Sequence, residues 1–166
     1  PINMGMNFKG AGALDPRGYP LLYVGSGIYT DTKAPRMFVV SLIDGQILYQ
    51  HGNGDKFQKR NWSAFDASPL VDAETDTLIW PGESGIIYTI KLNTKFNLEK
   101  GKISIDPETV VKTRYSTKSS HTIGFESSCV AVENYLYVGD NGGMLFCIDM
   151  NTMKLIWAQN TQDDIN

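Results

Sequence analysis

The sequence predicts an all-β chain, a partial β-propeller of about three four-stranded antiparallel blades, and three observations lead there. Short runs rich in Val, Ile, Leu, Tyr and Phe recur between turn residues, at 21–24, 37–42, 86–92, 135–138 and 144–148, which is how strands bounded by turns read. Long stretches with a 3.6-residue apolar period are absent, so almost no helix is expected. The chain also repeats itself at a spacing of some tens of residues, and such a period marks a propeller blade or a solenoid unit.

Each copy opens on a phenylalanine. The stretch from Phe8 through Asp15 to Tyr23-Val24-Gly25 aligns without a gap on Phe65 through Asp72 to Trp80-Pro81-Gly82, and the third copy runs from Phe125 through Val132 to Tyr137-Val138-Gly139. Gly25, Gly82 and Gly139 thus become anchors 57 residues apart. The copies span approximately 8–50, 65–115 and 125–159, and differ by insertions at 26–36 and 95–109 and by a short turn at Glu133-Asn134. Insertions confined to turns are what loops tolerate and strands do not. In the third copy the strands are placed at 128–132, 135–139, 144–150 and 154–158. Between the second and third of these, Asp140-Asn141-Gly142-Gly143 supplies the positive φ that a hairpin turn needs.

Composition narrows the partners. With 15 basic and 18 acidic side chains the net charge is −3, so nothing attracts nucleic acid or an anionic membrane. No apolar run reaches the roughly 18 residues that span a bilayer. The chain opens on Pro1 rather than on a Met before a basic, then apolar, leader, so the N-terminus reads as internal. Residues 161–166 read as the link to a fourth blade. Propellers close with typically about 4 to 8 blades, and three would leave two broad faces bare. The expected partners are therefore the remaining blades of a parent protein or a second copy, with a protein or small-molecule ligand besides. Cys129 and Cys147 are too few for a disulfide framework and match no zinc spacing, so both read as buried free thiols.

The segment Cys147-Ile148-Asp149-Met150-Asn151-Thr152-Met153-Lys154-Leu155-Ile156-Trp157 resembles the repeat of quinoprotein-type, or PQQ-like, β-propellers, whose pattern is small-x-Asp-x-x-Thr-Gly-x-x-x-Trp. Met153 stands where that pattern has Gly; the first copy keeps Gly45 and carries Tyr49 at the Trp position, and the second keeps Thr94 before its insertion. The resemblance implies that Tyr49 and Trp157 fill the wedge between blades, so that Trp157→Ala would cost about 3–5 kcal/mol. It further implies a bacterial cell-envelope or extracellular setting. For an enzyme of this family it implies PQQ on the propeller axis, held with calcium beneath a disulfide of adjacent cysteines. No adjacent pair exists, and Cys129 and Cys147, two strands apart at about 4.8 Å per strand, are too distant to bond.

Other chemistry is thinly represented. Asp72, Glu74 and Asp76, with Glu83 at the twelfth position, give alternate oxygen ligands of the kind calcium takes, but Thr77 replaces the Gly of such loops and the segment reads as a solvated hairpin turn. His51 and His121 are not spaced with other ligands. Gly82-Glu83-Ser84-Gly85 is not a nucleophile elbow, and Gly52-Asn53-Gly54 lacks the third glycine of a dinucleotide loop. Asn61-Trp62-Ser63 fits a glycosylation pattern that arises readily by chance. One positional pattern is more informative: Lys9, Asp66 and Glu126 share a repeat position just before the innermost strand, near the mouth of an axial channel. There they either bind a ligand or solvate the rim. The insertions offer alternative recognition surfaces. The expected function is a non-catalytic binding or scaffold segment, without a cofactor. The alternative is part of a PQQ-dependent oxidoreductase whose catalytic residues lie mostly elsewhere.

Overall fold

A computed structural model describes residues 7–28, 34–115 and 122–165. Among them there is no helix; every element is a strand. The first sheet is formed by β1 (Ala13–Leu14), β2 (Leu21–Gly25), β3 (Arg36–Ser41) and β4 (Ile47–Gly52), antiparallel and in sequence order. The second uses β5 (Leu70–Asp72), β6 (Thr77–Gly82) and β7 (Ile86–Lys91), then a separate hairpin of β8 (Lys95–Asn97) and β9 (Lys102–Ser104), before β10 (Val111–Arg114) closes its outer edge. The third comprises β11 (Val130–Val132), β12 (Tyr135–Gly139), β13 (Met144–Asp149) and β14 (Lys154–Asn160). The all-β class and the four-stranded antiparallel sheets are as the sequence predicts, whereas the β8–β9 hairpin inside the 95–109 insertion is an addition to that reading.

Alternation along each strand sends one set of side chains to each neighbouring sheet. Leu21, Tyr23, Met37 and Val39 of the first sheet form one apolar cluster with Leu78, Trp80 and Tyr88 of the second. Ile79 and Ile87, on the opposite face of the second, form another with Leu136, Val138 and Phe146 of the third. A backbone bond repeated three times holds each inner hairpin to the outer turn: the amides of Leu42, Leu92 and Met150 donate to the carbonyls of Pro20, Asp76 and Asn134. The repeated phenylalanines each pack edge-on or tilted against a ring of their own third strand. Phe8 meets Phe38 at 6.2 Å, Phe65 meets Tyr88 at 5.1 Å and Phe125 meets Phe146 at 5.7 Å.

The strand register corrects the glycine alignment. Met37, Ile87 and Leu145 lie opposite Gly25, Pro81 and Gly139, so the true counterpart of Gly25 and Gly139 is Pro81, not Gly82. The first turn of the second repeat is one residue shorter, since Leu14 pairs with Leu22 while Val71 pairs with Leu78. A one-residue slip exchanges the faces of a strand. Trp80 therefore points back toward the first sheet, opposite to the direction of Tyr23.

The outer-strand motif has a visible basis. Asp149 accepts hydrogen bonds from the amides of Asn151 (2.9 Å) and Thr152 (3.0 Å), which winds the turn into β14. Met153 holds φ 52° where Gly45 holds φ 77°, a left-handed conformation that glycine adopts freely and other residues rarely do. Tyr49 and Trp157 pair with Val39 and Cys147 in the same register, each just before a β-bulge. Tyr49 packs against the cluster between the first two sheets. Trp157 occupies the matching place on the third sheet, tilted on Tyr137 at 6.0 Å, and is 42% exposed.

Candidate functional site

The inner edges of the three sheets meet at hydrogen-bonding distance. Ser68 Oγ donates to the Ala11 carbonyl (2.9 Å), and the Ser68 amide donates to Ser128 Oγ (3.3 Å). Ala11, Ser68 and Ser128 share a repeat position, so this seam draws together the residues two places earlier, and the charges of Lys9 and Glu126 both act on Asp66. A Cβ placed on Gly27 would lie 2.8 Å from the Lys9 side chain and 2.9 Å from Asp66 Oδ1, so glycine here leaves room for both.

Two further charges act on Asp66, those of Glu83 and Arg60. Glu83, buried at the turn between β6 and β7, accepts from Arg60 Nη2 (2.8 Å) and from the Ala64 amide (2.8 Å). Arg60 lies over the rings of Trp62 and Phe57 at 4.6 and 5.2 Å. Glu126 accepts from Asn141 Nδ2 at 3.1 Å, and Asn141 Oδ1 in turn accepts from the Gly124 amide at 2.9 Å. Asp66 Oδ1 is buried and has no hydrogen-bond partner among the described residues, and the same holds for Nη1 of Arg60. Burial, reinforced by the Glu83 charge, raises the Asp66 pKa to about 6, while Lys9 pulls the other way.

That raised pKa has a sign. A carboxyl that holds its proton more tightly when folded stabilises the chain below its ordinary range near 3.8, and this contribution disappears as pH climbs to about 6. Asp66→Asn, which keeps the shape without the charge, is therefore expected to stabilise the chain at pH 7.5 by about 1–2 kcal/mol after solvent screening. The gain should vanish below about pH 4. Urea midpoints measured across that range check it, and a gain that does not shrink on acidification would contradict the origin given.

The remaining candidates are placed elsewhere. Asp76 pairs with Arg17 at 2.5 Å and accepts from Thr94, tying the first sheet's turn to the second. Asp72 accepts from the Glu74 amide and the Thr75 hydroxyl. These carboxylates are committed to turns, and with Glu83 bound to Arg60 they do not converge as the calcium set considered from sequence. No group of three His, Cys, Asp or Glu among the described residues is arranged to hold a metal. Cys129 and Cys147 are both buried and free, and burial raises the Cys129 pKa to about 12, which leaves it an unreactive thiol. The described residues thus give PQQ and calcium neither the disulfide nor the donor set that the resemblance implies.

His51 stacks on Tyr49 at 6.5 Å and its pKa is lowered, by burial first and then by the Lys112 charge. His121 and the part of the first insertion at 29–33 lie outside the described residues. In the second insertion, Phe96 and Ile103 pack on the core while Leu98 at the hairpin tip is exposed. Arg60, Glu83 and Asn141 join this charged cluster without having been singled out by the repeat; Glu83 directly follows an anchor glycine, which was the available signal.

No protein-family model and no curated protein matches the sequence. Solved structures are similar. BamB from Moraxella catarrhalis aligns at TM-score 0.54 and 15% identity, over 95% of this chain and 54% of that one. The β-propeller domain of Cps50 (Swd1) from Myceliophteria thermophila aligns at TM-score 0.56 and 12% identity, over 91% and 40%. The chain has a β-propeller fold and spans only about half the length of these neighbours. No helix among the described residues is long and apolar enough to cross a membrane.

Proposed function

We propose that the chain is the blade array of a non-catalytic binding or scaffold propeller, and that it receives a cationic side chain of a peptide or protein partner at the mouth formed by Lys9, Asp66 and Glu126. The observation that carries this reading is the buried, unpartnered Oδ1 of Asp66. A buried acceptor left without a donor costs about 1–3 kcal/mol, and an ammonium or guanidinium group arriving from a partner would recover that cost as a charge-assisted bond. The cluster holds three carboxylates, from Asp66, Glu83 and Glu126, against Lys9 and Arg60, and Arg60 is already paired with Glu83. The Asp149 turn and the paired places of Tyr49 and Trp157 support reading the repeats as PQQ-like. With that resemblance goes a placement in the cell envelope or outside the cell, which belongs to the same proposal.

The test is selection of displayed random peptides on the full chain, followed by titration of the enriched peptides into the Asp66→Asn and Glu126→Gln variants. Enrichment of Lys or Arg, with affinity falling at least about tenfold in Asp66→Asn, a loss of 1.4 kcal/mol, is the expected result. Binders indifferent to both substitutions would overturn the reading. So would dye-linked alcohol oxidation appearing when PQQ and calcium are added.

A further inference from the structure

The insertion of the second sheet carries a surface of opposite character to the carboxylate cluster around Asp66. Among the described residues β8 and β9 pair only with each other, Lys95 opposite Ser104, Phe96 opposite Ile103 and Asn97 opposite Lys102. Alternation divides the hairpin into two faces. Phe96 and Ile103 pack on the core between the first two sheets, and Phe96 lies 5.4 Å from Tyr19. The other face carries Lys95, Asn97, Lys102 and Ser104, all exposed. With Lys100 from the turn these residues line a groove of about 330 Å3.

Three ammonium groups and no carboxylate line this groove. None of the ion pairs among the described residues uses Lys95, Lys100 or Lys102. Two acids stand outside it: Glu99 belongs to the turn, and Asp44, which borders a smaller cavity that shares Lys102, accepts from the Gln46 amide at 3.0 Å. A chain of net charge −3 thus concentrates positive charge on one short hairpin. Lysines guard unpaired strand edges against aggregation, but guarding does not require that they line one concave surface. Leu98, next to Asn97 at the tip, is 79% exposed.

From this arrangement we propose that the lysine face of the hairpin receives an extended acidic segment of a partner protein, with carboxylates at alternate positions and an apolar residue over Leu98. An extended chain presents the side chains of one face about 6.8 Å apart, the spacing that also separates Lys95 from Asn97 and Lys102 from Ser104. Carboxylates at that repeat meet the lysines in turn, while Asn97 and Ser104 supply neutral hydrogen-bonding groups between them. The site is independent of the one at Asp66. Glu83 precedes β7 and the hairpin follows it, so a six-residue strand, about 20 Å long, separates the two. A scaffold with a cation-accepting end and an acid-accepting end holds two different segments at once.

Fluorescence anisotropy on the full chain tests this with a labelled peptide of alternating glutamate and alanine that ends in leucine. Half-saturation is expected below about 1 mM peptide at roughly 20 mM salt, with affinity falling at least about fivefold at about 0.3 M salt. Lys95→Glu, Lys100→Glu and Lys102→Glu combined should weaken binding at least about thirtyfold, and Leu98→Ser about threefold. Lys56→Glu, Lys59→Glu and Lys154→Glu combined make the same change in net charge on exposed side chains elsewhere, and should keep the affinity within about threefold of wild type. Asp66→Asn should leave it unchanged, which separates this site from the other. All these lysines are exposed, so both triple variants should keep the wild-type circular dichroism. Equal losses in the two triple variants would reduce the effect to net charge and overturn the proposal. So would the absence of binding at about 1 mM peptide, or a preference of the hairpin lysines for phosphatidylserine vesicles over the peptide, which would make this face a lipid-docking surface.

Discussion

Replacing Trp80 by alanine is expected to cost the chain about 3–5 kcal/mol, the range for removing a buried aromatic ring, and thus a large share of the roughly 5–15 kcal/mol that holds an ordinary domain together. The ring is fully buried between the first two sheets. It leans on Phe65 at 5.7 Å, and its Nε1 donates to the Ala67 carbonyl at 3.1 Å. Cζ2 lies 3.0 Å from where a Cβ on Gly25 would be, so glycine there admits the indole edge. Truncation empties this volume and strips a buried carbonyl of its donor. Trp80→Phe should cost less, keeping most of the apolar contact and losing the hydrogen bond, worth about 1 kcal/mol. Trp157→Ala is expected to cost less than about 2 kcal/mol in the single chain, because half-exposed rings have water to fall back on. Urea unfolding followed by far-ultraviolet circular dichroism reads all three. A Trp80→Ala loss no greater than that of Trp157→Ala would place the ring wrongly.

This difference between two tryptophans marks the limit of what the sequence discloses. Strand composition, the Asp-x-x-Thr turn and the phenylalanine opening each copy are local signals, and they find the sheets and even the shared place of Tyr49 and Trp157. Which face a residue occupies depends on turn length, and turn length has no period. The 57-residue glycine spacing hides a first turn shortened by one residue in the second repeat, where Pro81 stands level with Gly25 and Gly139. Trp80 consequently reads as the partner of Tyr23 when it faces the other way. The charged cluster shows a similar division. That Lys9, Asp66 and Glu126 lie near one another is legible because they share a position ahead of the inner strand. Arg60 reaches Glu83 from an irregular stretch between sheets, and no repeat pattern predicts an ion pair made by a linker.

The linkers also explain why the sheets hold their positions. Phe65 donates its amide to the Ser26 carbonyl while Glu83 donates to Ala64; Phe125 donates to Gly82 while Asn141 donates to Gly124. Each linker is thus stitched at once to the sheet before it and to its own. At Gly124 the stitch leaves no room for a side chain. A Cβ there would stand 1.5 Å from the Glu83 carbonyl oxygen and 2.3 Å from its carbon, and a backbone carbonyl cannot swing away as a side chain can. Gly124→Ala should therefore destabilise the chain by more than about 4 kcal/mol, a magnitude reserved for named disruptions of packing or backbone. The damage should be uneven. The second and third sheets must part, so amides of β12 and β13 should exchange with solvent much faster, while β2, β3 and β6 keep protection from the cluster around Trp80. Gly54→Ala is the control: a Cβ on Gly54 meets nothing within 4 Å, and that variant should stay within about 0.5 kcal/mol of wild type. If Gly124→Ala matched it, the seam between these sheets could not be as tight as described. The charged cluster would then lose its frame, because the same seam sets the charges of Glu83 and Glu126 near Asp66.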